Sequence, residues 1–161
     1  MKLTLALLAL LSGLAALPAQ ADEAPLTLSF GDFFARPIGP LGLQPTPQLL
    51  AAQGKPVRLV GYMVQREQPQ AGQFLFTPRP VTMAEHADGE ADDLPATTVT
   101  VLLPEGQRER LVAFRPGALV LQGRLDYGPA EVEPGRVSWL RLQLTANALE
   151  SAASPAVSHS H

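Results

Sequence analysis

Three groups of side chains in this sequence are of types that bind ligands. The first is the stretch Val81 to Pro95, which carries Glu85, His86, Asp88, Glu90, Asp92 and Asp93 and no basic residue. Carboxylates with an imidazole are donors for hard or borderline divalent cations. The spacing is not that of a calcium loop: with Asp88 at position one, the central glycine position falls on Asp93 and the bidentate glutamate position on Val99. A zinc site wants two or more histidine or cysteine ligands at short spacing, and this stretch offers His86. A second pair, His159 and His161, stands at the C-terminus as His-x-His. Together with Glu85, His86 and Asp88 it makes a candidate zinc set, whose cost is the entropy of ordering a tail. The reading we favour for Val81 to Pro95 is a solvated acidic loop between two strands.

The third group combines arginine with aromatic residues. Alternation places Arg58 and Tyr62 on one face of a strand, Arg124 on another, and Trp139 with Arg141 on a third. Such a face suits a sugar, a phosphate-bearing lipid headgroup or a peptide carboxylate, through stacking and charge-assisted hydrogen bonds. The plainer alternative, which we favour, is that Trp139 and Tyr62 cover the second face of a sheet beneath an N-terminal arm while the arginines pair with nearby acids. No Gly-x-Ser-x-Gly elbow, His-Glu-x-x-His helix, phosphate-cradling Walker loop or Gly-x-Gly-x-x-Gly turn occurs. The expectation is a protein that is not an enzyme, with no catalytic residue and no cofactor, zinc being the alternative.

These residues need elements to hold them. Met1-Lys2, an apolar run to Leu17 and the small-x-small pattern Ala19-Gln20-Ala21 read as a secretory signal peptide over residues 1–21, cleaved after Ala21. Its removal takes Lys2 and leaves 11 basic against 15 acidic side chains, a net-acidic periplasmic chain with no membrane span. That balance argues against nucleic acid as a partner. The absence of cysteine excludes disulfides and thiolate metal sites. Residues 22–53 read as a proline-rich arm, with a short strand at Leu26–Phe30 and a brief helix from Thr46-Pro47 to Gly54.

Residues 54–150 then alternate with a period of two. Strands are expected at Pro56–Arg66, Phe74–Thr77, Thr97–Leu103, Ala118–Leu125 and Val137–Leu144. Gly61 reads as a bulge or sharp bend within the first. Glu105–Phe114 has room for a helical turn, Asp126 to Gly135 reads as a long hairpin loop, and Thr145–Ala152 as a brief helix. Residues 151–161 form a small, polar tail. Five such strands with a connector between the third and fourth predict an all-β, five-stranded OB-like Greek-key barrel, with a five-strand sandwich as the alternative.

The block Gly54-Lys55-Pro56-Val57-Arg58-Leu59-Val60-Gly61-Tyr62-Met63-Val64, followed by Phe74-Leu75-Phe76, resembles a family of small exported bacterial proteins known only as a domain of unknown function. Val99 to Val101 and Val120 to Leu125 match its later strands. The resemblance implies an OB-like barrel encoded near ABC transporter components, sometimes in zinc-responsive settings. Many members carry a Cys-His-Pro segment after the second strand, where this chain has Thr77-Pro78-Arg79-Pro80. The functional expectation is therefore a soluble periplasmic binding or adaptor protein serving an ABC-type permease. The alternative is a zinc-binding or zinc-carrier protein built on the His86 loop.

Overall fold

The computed structural model describes residues 23–152 apart from 84, 87, 88 and 91–93. The expected signal peptide, Asp88, and the tail with His159 and His161 lie outside the described residues. In chain order the elements are β1 (Leu26–Leu28), a 3₁₀ turn (Phe30–Asp32), α1 (Pro47–Ala52), β2 (Pro56–Met63), β3 (Gln65–Arg66), β4 (Gln73–Thr77), β5 (Thr82–Met83), β6 (Glu85–His86), β7 (Gly89–Glu90), β8 (Val99–Leu102), a 3₁₀ turn (Glu105–Gln107), β9 (Ala118–Glu133) and β10 (Arg136–Leu144).

The all-β expectation holds, and the pairing order decides between barrel and sandwich. β2 pairs with β4, β4 with β8, β8 with β10, β10 with β9, and β9 returns to β2, so the ladder closes on itself. The β8–β10 contact is parallel and the other four are antiparallel. Five strands closed in this order form the Greek-key ring of an OB barrel, which removes the exposed sheet edges a sandwich would keep.

Alternation explains which side faces in. Val57 and Leu59 of β2, Val99 and Val101 of β8, Leu121 and Leu125 of β9, and Leu142 of β10 have no exposed surface. Each such side chain contributes about 1.5–3 kcal/mol by leaving water. The barrel wall leaves no room for a side chain at two inward positions. A Cβ on Gly123 would stand 2.5 Å from the Gln143 carbonyl oxygen, and one on Gly61 would stand 2.6 Å from both the Phe30 ring and the Thr77 carbonyl oxygen. Of the bulge or sharp bend expected at Gly61, the bulge is corrected: the register with β9 runs unbroken from Pro56↔Arg124 to Tyr62↔Ala118, and the glycine makes space for Phe30.

The arm is part of the core. β2 meets β4 only at Tyr62 and Met63, so the earlier half of that edge is open, and β1 pairs there in parallel, Leu26 with Val57 through Leu28 with Leu59. The chain then turns on Asp32, whose carboxylate accepts from the Ser29 backbone amide at 2.7 Å and the Ser29 hydroxyl at 2.8 Å. Phe30 and Phe33 follow into the main hydrophobic cluster, joined there by Leu49 and Ala52 of α1. Thr46 caps α1 by accepting from the Leu49 amide at 3.1 Å, with Pro47 in the first turn, as its sequence predicts.

Two further expectations change. Asp126 to Glu133 is strand, and the hairpin narrows to Pro134-Gly135, because the irregularity between Ser138 and Leu140 absorbs Gly128 and Pro129, and that between Arg136 and Val137 absorbs Val132, without ending the ladder. Thr145–Ala152 forms hydrogen-bonded turns that bury Ala148 and Leu149, with no helix.

Candidate functional site

The outward side of the barrel at β4, β8 and β10 carries a groove of about 640 Å³. Its floor is made by Gln73 and Leu75 of β4, Thr98 just before β8, Thr100 of β8, and Ser138 of β10, with Trp139 at its rim. One wall is Gln70, in the loop between β3 and β4. The other is the β9–β10 hairpin tip, Val132 to Val137. The far end is closed by Leu94 and Ala96, just before β8.

The strand alternation creates the floor. Inward Val99 and Val101 force Thr98 and Thr100 to the other side. Parallel pairing of β8 with β10 puts Thr100 in register with Arg141, and the Thr100 hydroxyl donates to Ser138 Oγ, three residues back along β10, at 2.9 Å. Although it faces away from the core, Thr100 is only 6% exposed, beneath the groove walls. On β4 both faces are covered. Phe74 and Phe76 enter the core, while Leu75 joins Val64 and Met83 in a second, smaller cluster built by the segment that folds back after β4.

A polar chain fastens the two walls together. The Arg66 guanidinium donates to Gln70 Oε1 at 2.6 Å, and Gln73 Nε2 donates to the same oxygen at 3.1 Å. Gln73 Nε2 also donates to the Glu133 carboxylate, and Arg136 stands 4.0 Å from the other oxygen of that group. The groove's width is set by side chains that sequence spacing does not connect.

Trp139 is 54% exposed. It occupies the irregularity between Ser138 and Leu140, opposite Gly128 and Pro129. Its ring leans on Tyr127 with centroids 6.2 Å apart, and Tyr127 leans edge-on against Phe34 of the arm at 6.3 Å. The Tyr127 amide is itself held, donating to Gln53 Oε1 at 2.6 Å. The Arg141 guanidinium donates to the Gly128 and Ser138 carbonyl oxygens, both at 2.6 Å, and so clamps the two sides of the same irregularity.

The five residues proposed from sequence therefore divide. Trp139 lines the groove, whereas Arg58, Tyr62, Arg124 and Arg141 do not. Arg124 pairs with Asp126 at 3.4 Å, and Arg141 lines a neighbouring depression of about 460 Å³ with Gln143 and Glu131. Arg58 and Tyr62 are half-buried on β2, in register with Gln122 and Ala118 of β9. Gln70, Gln73, Thr98, Thr100 and Ser138 were missed as site residues. The alternation Thr98-Val99-Thr100 carried a signal, but nothing local marks Ser138 or the two glutamines.

The acidic stretch forms a small antiparallel pair, β6 with β7, with Glu85 in register with Glu90 and His86 with Gly89. Among the described residues no group of three or more His, Cys, Asp or Glu side chains comes together to hold a metal ion. Among them, too, no helix is long and apolar enough to cross a membrane.

Fold and groove together define an all-β, OB-type barrel with an open cleft across one sheet face. No family model matches the chain, and no curated protein matches it. Among solved structures it is similar to a DUF3299 family protein from Pseudomonas aeruginosa PAO1, with a TM-score of 0.46 and 17% identity, over 76% of this chain and 93% of that one.

Proposed function

We propose that this chain is an exported, non-enzymatic binding module of the cell envelope, that its recognition site is the β4–β8–β10 groove, and that it serves an ABC-type transport system as an adaptor. One observation carries this reading. The groove crosses the second and third barrel strands between the loop after the first strand and the hairpin joining the fourth and fifth, the position at which OB barrels take oligonucleotides and oligosaccharides. Its 640 Å³ falls within the roughly 300–1,000 Å³ of small-ligand clefts.

The lining supports binding in preference to turnover. Among the described lining residues Arg136 is the one ionisable side chain, and it stands beside Glu133. Hydroxyls and amides hold a ligand, whereas acid–base chemistry asks for a titrating group placed on it. The transport association rests on the resemblance of the β2 and β4 sequence blocks.

The test is photo-crosslinking in cells from the full exported chain. A photoreactive residue replaces Val137 at the groove rim or Phe114 away from it; both are exposed, at 57% and 42%. Adducts at 137, absent at 114 and diminished by Trp139→Ala, are expected, and a permease among them supports the transport role. No adduct at 137, or equal labelling at both positions, overturns the groove as the recognition site.

A further inference from the structure

The sequence left three ligand chemistries open: a sugar, a phosphate group and a peptide carboxylate. The hydrogen-bond directions in the groove separate them. Each hydroxyl has one proton to donate and two lone pairs to accept with. Thr98 Oγ1 donates its proton to the Pro95 carbonyl oxygen at 2.6 Å. Ser138 Oγ donates to the Leu140 carbonyl oxygen at 3.0 Å, so it can only accept from Thr100. All three floor hydroxyls have thus committed their protons to protein acceptors, and what they turn toward the groove is oxygen lone pairs.

Phosphate and carboxylate oxygens are acceptors too, and the three floor hydroxyls offer them no proton; the one cation of the lining, Arg136, stands 4.0 Å from the Glu133 carboxylate, which balances its charge. Burying them against that floor would leave a charge desolvated and unpaired, which is costly. A cation would accept the lone pairs but wants a carboxylate, and the nearby Glu133 carboxylate is engaged by Gln73 and Arg136. A sugar hydroxyl both donates and accepts. It can donate to Thr98 and Thr100 and still accept from the Gln70 side-chain amide or the Trp139 indole N–H. The half-exposed indole, braced from behind by Tyr127, adds an apolar face of the kind on which a sugar ring can lie.

Resting on the groove reading above, we infer that the ligand is a neutral oligosaccharide, held by donating its hydroxyl protons to the Thr98 and Thr100 oxygens with one ring against Trp139. Trp139 is the single tryptophan of the chain, so its emission reports occupancy of this groove directly.

The experiment titrates the full-length exported protein with maltotriose and with tri-N-acetylchitotriose, reading Trp139 emission and heat. Glucose 6-phosphate, glucuronic acid and spermidine are the anionic and cationic arms. At least one neutral saccharide is expected to bind and shift the emission, at least tenfold tighter than any charged probe, a difference of about 1.4 kcal/mol. Thr100→Val, which keeps the shape and removes the acceptor, is expected to weaken it at least tenfold. Trp139→Ala, followed by heat alone, serves as the second variant should Thr100→Val melt early. Tighter binding of a charged probe with the same emission shift overturns the sugar assignment and leaves the groove reading standing. So does silence toward both saccharides while position 137 still crosslinks. Silence together with no crosslink at 137 overturns both.

Discussion

Gln73 on β4 and Glu133 at the tip of the β9–β10 hairpin lie 60 residues apart in sequence and share a side-chain hydrogen bond across the groove. A buried amide donating to a half-buried carboxylate is of the stronger kind, worth about 1.5–3 kcal/mol. A cycle of Gln73→Ala, Glu133→Ala and the double variant, measured by urea unfolding, is expected to show a coupling of about 1–2 kcal/mol. Hydrogen exchange should speed up at Val132–Val137 in Glu133→Ala and stay unchanged at Val57–Leu59. Equal change at both segments would mean that the bond does not act on the hairpin.

Gly123 lets β9 lie close against β10. The Cβ of alanine would meet backbone, the Gln143 carbonyl, which cannot swing aside as a side chain can. Gly123→Ala is expected to cost about 1–3 kcal/mol by overpacking. Gly106→Ala, with open space at its Cβ position, is the control and should stay near wild type in thermal melts.

Phe33 belongs to the arm by sequence and to the core by burial, with no exposed surface. Phe33→Ala should lose about 3–5 kcal/mol, as a core phenylalanine does. An unfolding midpoint within experimental error of wild type would show the arm to be a detachable appendage.

Nη1 of Arg141 donates to both the Gly128 and the Ser138 carbonyl oxygens, and a lysine ammonium, one bond nearer the backbone, does not reach the same point. Arg141→Lys is expected to cost about 1–2 kcal/mol. It should also shift the emission of Trp139, which sits in the clamped irregularity. Thermal melts and emission spectra read the two effects separately, and an unmoved spectrum would detach Arg141 from the placement of Trp139.

Glu150 has its carboxyl held below the ordinary value of 4.5, first by a hydrogen bond from its own backbone amide and then by Arg110, whose guanidinium is 3.3 Å away. A lowered folded-state pKa stabilises above the unfolded value and is lost as pH falls through the folded one. The melting-temperature gap between wild type and Glu150→Gln should therefore be present at neutral pH and close on acidification below 4.5. A gap that widens on acidification would reverse the sign.

Much of the fold was legible because inside and outside alternate along each strand. The inward sets Val57/Leu59, Val99/Val101 and Leu140/Leu142 follow from period alone, and Thr46-Pro47 marks α1 through local capping chemistry. Asp126-Tyr127-Gly128-Pro129 misled, because its turn residues are accommodated by a strand irregularity that Arg141 holds from the opposite strand.

By itself the chain's pattern determined an all-β fold, its buried faces, its helix cap and the outward position of Trp139, since each depends on neighbours a few residues away. Tertiary structure alone decided that Arg58, Tyr62 and Arg124 stand apart from Trp139, and that Thr98, Thr100, Ser138 and Gln73 converge instead. The physical reason is closure. Which side chains share an outer face depends on which strands become neighbours around the ring, and the parallel β8–β10 contact joins segments about forty residues apart. The same holds for hydroxyl protons: their donors are evident in sequence, but the carbonyls that take them are fixed only once the strands have met.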